Sequence, residues 1–448
     1  MPFYQGKTDF GERHPATRYW CNLPSKLAQK NDILISVRAP VGPTNVASEE
    51  CCIGRGLAAL RPRHGVYLEF LLYSLKGFES AIADMGYGTT FVAITKKQLV
   101  SFPVPLPPLA EQHRIVAKVD ELMALCDRLE AAQAERESRR DRLVASSLNR
   151  LNNGEDADAF RDHARFYFNH LPRLTTKREH IQQLRQTILN LAVRGKLVPQ
   201  DPTEEPAFEL LKRLRAEKVR IIKPRQEEDV EQNFLKPGLE EPYDVPGNWI
   251  WATLADVTLG FRYGTSMKCS YEPIGVPVLR IPNVSNGRVN IEDLKFGSLP
   301  AREVEDLRLQ LGDILMVRSN GSLSIVGRPA LVEAHAVGFC YAGYLVRVRP
   351  SVNHVNPRYL LHMLNAAYVR DQIEIPIRTT VGLKNVNTTE LGILTIPLPP
   401  LAEQQRIVAK VDELMALCDK LKAQLTTTQT ESRRLLEAVL HEALAPVV

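Results

Sequence analysis

The chain has 448 residues, a length that predicts two or three domains, each large enough to bury its own hydrophobic core. Its 57 Lys and Arg residues are nearly balanced by 52 Asp and Glu residues, so the net charge of +5 excludes a strongly basic tail but allows a basic face. The sequence has no signal-peptide pattern, no run of 18 apolar residues and no C-x-x-C pair among its seven cysteines. We therefore expect a cytoplasmic protein without a membrane segment, zinc motif or disulfide framework.

Residues 1–105 are expected to form a first α+β body, because short apolar runs such as 33–37 alternate with Gly and Asn turns. Within this body Gly54, Gly56 and Ala59 match the G-x-G-x-x-A pattern of dinucleotide-binding proteins. That pattern indicates a nucleotide site only where a strand precedes it and a helix opens on it. Residues 57–61 resemble a strand instead, and we therefore reject a nucleotide site.

A block of 24 residues occurs twice, at 106–129 and 398–421, and the copies differ only at His113/Gln405 and Arg128/Lys420. Each copy opens with two prolines and then carries a glutamate in the first turn of a predicted helix, where the helix dipole favours a carboxylate. Apolar residues recur at a three/four spacing within the block and form one continuous stripe, which resumes after a polar stretch at 143–151 in the first copy and at 435–440 in the second. The pattern predicts two long helices of roughly 60 Å each at 1.5 Å per residue.

The apolar stripes of the two helices are expected to pack on each other or on a shared partner. Cys126 and Cys418 occupy the same position of the stripe, and we expect both to be small buried hydrophobic residues rather than reactive thiols. The stripe residues predicted to pack on a partner helix are Ile115, Val119, Leu122, Cys126, Ile407, Val411, Leu414 and Cys418.

The region between the bodies is predicted to be helical. A helix over 175–194 ends at Gly195, which suits the left-handed position after a helix. An extended connector at 196–202 leads into a second amphipathic helix over 205–218. The charged, proline-containing residues 223–243 are typical of a linker.

The second body repeats weak features of the first, which indicates a similar α+β fold. The first body is shorter, however, since 105 residues precede Leu106 and about 150 separate Trp249 from Leu398. We find no first-body counterpart of 249–251 or of 279–283. The segments that correspond are 32–34 with 313–315, 59–62 with 347–350, and 67–72 with 359–364.

Signatures of catalysis are missing from the sequence. It has no G-x-x-x-x-G-K-[ST] loop for ATP, no H-E-x-x-H zinc motif and no Asn/Asp-Pro-Pro-aromatic string of the kind that amino-methyltransferases use. The ten histidines are scattered along the chain. We therefore expect that the chain itself performs no chemistry.

The overall pattern resembles the specificity subunit of Type I restriction-modification enzymes. Three features carry the resemblance: Pro-Leu-Pro-Pro-Leu-Ala-Glu-Gln followed by Arg-Ile-Val at 105–116 and 397–408, the central Gly-Lys-Leu-Val-Pro-Gln-Asp-Pro at 195–202, and the strings at 249–251, 279–284 and 312–315. Together they cover nearly the whole chain.

The resemblance implies an α+β fold with two target-recognition domains, separated by two long antiparallel coiled-coil helices and related by a pseudo-twofold internal repeat. It also implies a non-catalytic subunit that reads a bipartite sequence in double-stranded DNA. Two methyltransferase (modification) subunits and two restriction/translocase subunits would bind it and carry S-adenosylmethionine, ATP and Mg, so we expect no cofactor or metal in this chain. The implied segments are a first recognition domain at 1–105, incomplete at its N-terminus, a first long helix at 106–151, a central helical region with linker at 152–241, a second recognition domain at 242–397 and a second long helix at 398–448.

Few side chains are expected to read DNA, because the first body has only 12 Lys and Arg against eight Asp and Glu, and residues 242–400 have 15 against 13. Arg and Lys suit guanine, and Asn and Gln suit adenine, so exposed residues of these types near turns are the candidates. The candidate DNA-binding residues are Arg38, Lys96, Lys97, Arg280, Asn283, Asn286, Arg288, Arg318, Ser319, Asn320, Lys384 and Asn385.

Three alternatives stay open at this point. The short first body makes the chain either a truncated, half-competent specificity subunit or one that another chain completes. A coiled-coil interaction scaffold without DNA readout would explain the helices alone. A self-sufficient DNA enzyme is disfavoured by the missing methyltransferase and ATP motifs.

Overall fold

A computed structural model describes residues 1–86, 92–153, 157–222, 241–378 and 384–444. The chain divides into two compact units, Met1–Glu137 and Ser138–Val448. Most of the linker predicted at 223–243 lies outside the described residues.

The described residues of the first unit form seven short strands in two small sheets. The strands are β1 (Pro2–Tyr4), β2 (Tyr19–Trp20), β3 (Leu27–Ala28), β4 (Ile33–Ser36), β5 (Thr44–Val46), β6 (Cys51–Ile53) and β7 (Leu57–Leu60). One sheet has the order β2-β1-β6-β3, with β1 and β6 parallel, and the other has the order β5-β4-β7. The strand that follows Gly56 confirms that the G-x-G-x-x-A string does not open a helix.

Strand β4 is buried on both faces, which explains its continuous run of apolar residues. Successive side chains of a strand point to opposite sides. Ile33 and Ile35 therefore face one core, which helices complete, while Leu34 faces a second core with Tyr4 and Leu57. The helices of this unit are α1 (Leu68–Gly77), α2 (Glu79–Asp84), α3 (Lys96–Ser101) and the beginning of α4 (Leu109–Asn153).

The predicted long helix is confirmed by α4, which begins at Leu109 and has 45 residues, or about 68 Å at 1.5 Å per residue. Gln112 joins its first turn to the start of α1, because the side-chain Oε1 accepts a hydrogen bond from the backbone N–H of Tyr67 at 2.7 Å. The Nε2 group of Gln112 donates to the carbonyl oxygens of Gly65 (2.9 Å) and Pro107 (2.8 Å).

The second unit begins with a helical layer made of the end of α4, α5 (Ala157–Leu174), α6 (Arg178–Val193) and α7 (Ala207–Ile222). Helix α6 ends as predicted at Gly195, whose φ of 66° is left-handed. The N–H of Lys196 then donates to the carbonyl of Leu191 at 3.0 Å, the bond that closes this type of helix end. Buried residues of α6 share one core with Val144, Leu148 and Leu151 of α4.

The second body is built on a six-stranded sheet. The strands of the whole body are β8 (Ile250–Thr253), β9 (Thr258–Tyr263), β10 (Val276–Leu279), β11 (Val284–Ser285), β12 (Gly287–Val289), β13 (Lys295–Gly297), β14 (Ile314–Val317), β15 (Ser319–Asn320), β16 (Pro329–Leu331), β17 (Cys340–Tyr341), β18 (Leu345–Pro350), β19 (Lys384–Asn385) and β20 (Thr395–Leu398). The large sheet has the order β11-β12-β16-β14-β18-β9. A three-stranded sheet, β13-β10-β17, and two strand pairs, β15-β19 and β20-β8, complete the body.

The described residues of this body and its continuation form five α-helices: α8 (Ala301–Leu307), α9 (Pro357–Asn365), α10 (Ala367–Arg378), α11 (Thr388–Gly392) and α12 (Leu401–Leu444). The last of them confirms the second predicted long helix. Among the helices of the described ranges, none combines the length and apolar character needed to cross a bilayer.

The structure confirms that the two bodies share a frame. Strand β4 pairs with β7 so that Ile33 lies opposite Leu60, and β14 pairs with β18 so that Ile314 lies opposite Val348. In each pair an Asp directly before the first strand receives two hydrogen bonds from an Arg directly after the residue that lies opposite the start of that strand. The pairs are Asp32 with Arg61 (both bonds 2.8 Å) and Asp313 with Arg349 (both bonds 2.7 Å).

The expectation that the first body lacks a counterpart of residues 279–283 is wrong. Strand β1 pairs in parallel with β6, as β10 does with β17, and Tyr4 takes the place of Leu279 in that ladder. A short 3₁₀ turn follows in both bodies, and in both the backbone N–H after the strand donates to a turn side chain: Gln5 to Asp9 at 2.6 Å and Arg280 to Asn283 at 2.7 Å. Sequence comparison missed this match because only the backbone path is shared.

The stripe residues of the two long helices differ in burial. In α12, Ile407, Val411 and Cys418 are buried in the core that α6 and α9 form, and Leu414 is half-buried against it. Their partners are therefore α6 and α9, a packing that the sequence did not predict. In α4, Ile115, Leu122 and Cys126 are exposed and Val119 is half-buried. The expectation of a buried thiol is confirmed for Cys418 and is wrong for Cys126, because no described element of the first unit covers that face.

Candidate nucleic-acid interface

The strand pair β15-β19, called the ribbon below, joins candidate residues that are far apart in sequence. Ser319 lies opposite Asn385, and Asn320 lies opposite Lys384. The ribbon projects from the end of β14, with Arg318 as the connecting residue. Five predicted DNA-binding residues, Arg318, Ser319, Asn320, Lys384 and Asn385, therefore form one group.

Arg318 is held in a fixed orientation on the ribbon. Its Nε donates to Oδ1 of Asn385 at 3.2 Å, and its guanidinium lies over the ring of Tyr263, 4.3 Å from the centroid. The Tyr263 hydroxyl accepts from the backbone N–H of Thr388 at 2.9 Å, which fixes the ring in turn. Within the described part of the chain, the two Nη groups of Arg318 have no hydrogen-bond acceptor. A stacked guanidinium with open Nη donors suits bidentate recognition of a base edge or a phosphate.

Some of the other ribbon residues stabilise the ribbon, and others have side chains that reach solvent. Ser319 is buried, and Oδ1 of Asn320 accepts from the backbone N–H of Ser322 at 2.9 Å and so shapes the following turn. Lys384 is half-buried and Asn385 is exposed. Arg318, Lys384 and Asn385 therefore present the polar groups of the ribbon to solvent.

The β11-β12 hairpin displays two more candidates at the same end of the sheet. Asn286 (φ 51°) and Gly287 (φ 75°) are both left-handed, as a two-residue hairpin turn between Ser285 and Arg288 requires. Gly287 lies opposite Ala330, which in turn lies opposite Leu315 of β14. The turn therefore lies at the sheet end where β14 leads into the ribbon. Asn286 and Arg288 are both exposed there.

Arg280 and Asn283 have structural partners instead. The Nη2 group of Arg280 donates to Oδ2 of Asp293 at 2.8 Å. Asn283 is buried, and its Nδ2 donates to the carbonyl oxygens of Asn290 (2.9 Å) and Asp293 (2.8 Å). These bonds use the whole amide to hold the loop, and burial removes Asn283 from the residues that we propose to meet DNA.

In the first unit the three candidates are exposed near the end of β4. Arg38 follows this strand and forms a backbone bridge to Ala93. Lys96 and Lys97 are the first residues of α3, which Thr95 caps by accepting from the N–H of Gln98 at 3.3 Å. Arg38 also borders a cleft of about 500 Å³ lined by Gly54, Arg55 and Gly56 among others.

Arg38 and Arg318 do not occupy equivalent positions, although each lies just after its strand, β4 or β14. The backbone N–H of Val37 donates to Gly56, next to Leu57, and that of Arg318 donates to Tyr344, next to Leu345, so Val37 occupies the position of Arg318. Arg38 therefore matches Ser319, one residue further along.

Sequence reasoning missed the aromatic residues of this surface. Tyr263 supports Arg318, and Tyr271 lies beside Arg280 and Lys295, whose charged groups are 5.5 and 4.7 Å from the ring centroid. Tyr344, which is 61% exposed, lies next to Leu345 at the ribbon end of the sheet. These three tyrosines follow no periodic pattern in the sequence. Tyr263 and Tyr271 meet their arginines only in the folded chain, so the sequence carries no signal that would identify them.

Comparison with known proteins gives the chain clear relatives. The Type I restriction enzyme EcoAI specificity subunit of Escherichia coli is 30% identical over 349 residues, which cover 76% of this chain and 58% of the relative. The EcoKI specificity subunit of Escherichia coli K12 is 24% identical over 397 residues, covering 88% of this chain and 68% of the relative. The chain thus spans less than two thirds of the length of the EcoAI relative.

A solved structure described as "Structural basis underlying complex assembly and conformational transition of the type I R-M system" matches with a TM-score of 0.52 at 20% identity, covering 94% of this chain and 84% of that chain. This likeness confirms the predicted fold class of two α+β bodies with two long helices. The family model "Type I restriction modification DNA specificity domain" matches residues 23–136 and 248–428. Each segment runs from one of the bodies into a long helix, and together the two segments cover more than half of the sequence, so the chain belongs to the Type I restriction-modification DNA specificity family.

Proposed function

We propose that this chain is a DNA-recognition subunit whose two bodies each read one half of a bipartite target. The observation that carries the proposal is one shared frame with different side chains at the same end of its central sheet. Arg38 and Ser319 occupy equivalent positions, as do Val37 and Arg318. A common frame with different side chains at the same end of the sheet suits two readers of different base sequences, because base contacts carry the sequence information.

The ribbon supports base readout more than nonspecific attraction. The second body has only 15 Lys and Arg against 13 Asp and Glu over residues 242–400, so its bulk field is weak. Arg318 and Asn385 offer the donors and acceptors that match guanine and adenine edges. The stacking of Arg318 on Tyr263 reduces the conformational freedom that binding would otherwise remove.

The same proposal extends to partners. Two methyltransferase subunits would dock on the long helices and bring S-adenosylmethionine, and two restriction/translocase subunits would bring ATP and Mg. This chain then contributes recognition and spacing without catalysis. A helix of 45 residues spans about 68 Å, enough to hold two readers at successive major-groove faces, which recur every 34–36 Å.

Methylome mapping tests the proposal in cells that produce the full chain with its methyltransferase partner. A bipartite motif with a fixed unread gap is expected, and a matched strain with the methyltransferase alone should show no such motif. Methylation without sequence preference would instead support a coiled-coil scaffold without DNA readout. Methyl transfer to DNA by the purified chain alone would contradict the non-catalytic role.

A half-competent subunit is the second candidate, and one observation favours it. In the second body β9 pairs with β18 and carries Tyr263, whereas in the first body β7 is the end strand of its sheet. The first reader therefore has no equivalent of the tyrosine that orients Arg318 among the described residues. A methylation motif with only one half-site would support this candidate over two complete readers.

A further inference from the structure

The first unit has an apolar groove between α1 and the start of α4. The groove has a volume of about 640 Å³, and Phe70, Phe78, Leu106 and Ile115 contribute to its lining. Leu106 is 61% exposed and Ile115 is 38% exposed. The apolar surface continues along α4, where Leu122, Met123, Leu125 and Leu129 are also exposed. This surface, with the groove, is called the α4 face below.

In the second unit the same residues of the repeated block are covered. Leu398, the equivalent of Leu106, is fully buried because β20 pairs with β8. Ile407, the equivalent of Ile115, is buried in one core with Trp249 and with α6. The equivalent groove is therefore covered by α6, the connector after it, Trp249 and the β8 strand that follows this Trp.

The polar residues of the block also have partners in the second unit. The Glu403 carboxylate accepts from Nε1 of Trp249 at 2.9 Å and from Nε2 of Gln200 at 2.6 Å. Arg406 pairs with Glu204, and Asp419 accepts from Arg185 of α6 at 2.6 Å. The first copy carries the same three side chains, Glu111, Arg114 and Asp127. None of these three side chains forms a hydrogen bond or an ion pair with a described residue.

We infer that the α4 face binds a second helix of the α6 kind, followed by an extended connector, supplied by a separate polypeptide segment. The occupant would carry an apolar stripe with an Arg in its middle, opposite Asp127, and a Gln and a Glu after the helix, opposite Glu111 and Arg114. The chemistry of the occupant follows from charge complementarity. Since 22 of 24 block residues are identical in the two copies, the α4 face presents the same charged groups that α12 presents to its partners. An apolar partner of another kind would leave all three charges uncompensated at the edge of the contact.

A peptide of residues 177–206 tests the inference, because it contains α6 with Arg185 and the connector with Gln200 and Glu204. The full chain is incubated with the peptide, and thiol labelling is followed at each cysteine by mass spectrometry. Cys126 is exposed on the α4 face, whereas its equivalent Cys418 is buried under α6. At about ten times the dissociation constant, the peptide should slow labelling of Cys126 about tenfold, because only unbound chains react.

Charge exchange gives the matched control. In the variant Asp127→Arg, the natural peptide should protect Cys126 less well. The peptide R185D should restore the protection in this variant. Neither change touches the buried core, so misfolding does not explain the pattern. Unchanged labelling of Cys126 at saturating peptide, or equal protection by both peptides, would overturn the inference. A chain that already dimerises and protects Cys126 without peptide would overturn it as well, because the occupant would then be a second copy.

Discussion

Glu111 and Glu403 occupy the same position of the repeated block, yet Glu111 is exposed and Glu403 is fully buried. Burial raises the pKa of Glu403 above its ordinary value, although Trp249 and Gln200 both donate to the carboxylate. A carboxyl group whose pKa is raised by folding favours the folded state when it is protonated. Its contribution to the free energy of unfolding is therefore lost as the pH rises through the folded pKa.

The variant E403Q should remove this pH dependence. An amide stays neutral, so the variant should lose the decline in stability that the natural chain shows just above the usual Glu pKa. Urea unfolding measured across that range checks the result, with E111Q as the matched control at the exposed position. If E403Q and the natural chain lose stability in parallel as the pH rises, burial of Glu403 does not govern this titration.

Asp32 provides a test with the opposite sign. Burial acts to raise its pKa, but the bonds from Arg61 and from the N–H of Gln29 together bring it below the ordinary value. The charged form is thus the stabilising one, and its contribution is lost as the pH falls through the folded pKa.

Replacing this carboxylate by D32A should lower the free energy of unfolding of the first unit by on the order of 2 kcal/mol, because hydrogen bonds to a buried charged group are lost. The variant D84A, at an exposed site on α2, is the control. Equal urea midpoints for D32A and D84A would show that the Asp–Arg pair does not hold the first frame together.

The long helices and the shared frame could be predicted from sequence, whereas the ribbon could not. Block identity and three/four spacing indicate α4 and α12 without any tertiary information. Arg318 and Asn385 come together only because β14 and a returning segment end at the same place, and no local pattern encodes that meeting. The packing of α6 over Cys418 was not predicted for a similar reason, since α6 lies more than 200 residues before Cys418 in the sequence.

The variant R318A should weaken specific DNA binding by the chain with its methyltransferase partner. Loss of a bidentate base contact costs about 1–3 kcal/mol, which corresponds to roughly ten- to a hundredfold in affinity. R318K keeps the charge without the planar fork and should restore only part of the loss. R302A, at an exposed position of α8, controls for bulk charge.

Binding to the methylated motif and to unrelated duplexes should be compared at fixed salt. An equal loss for R318A on both kinds of DNA would make Arg318 a phosphate contact instead of a base reader.

The spacing role of the helices can be tested by deleting residues 130–133 from α4. All four residues are exposed, so the deletion removes one turn without opening a core. At 1.5 Å per residue the helix shortens by about 6 Å, close to two base pairs at 3.4 Å each. If α4 sets the distance between readers, methylome mapping should reveal a shorter gap between unchanged half-sites, or no methylation where the shift rotates one reader off its groove. Replacing 130–133 by four alanines keeps the length and should preserve the gap. A deletion variant that methylates the natural motif with its natural gap would exclude α4 as the spacing element, because a helix shortened by a full turn cannot hold two rigid readers at the original distance.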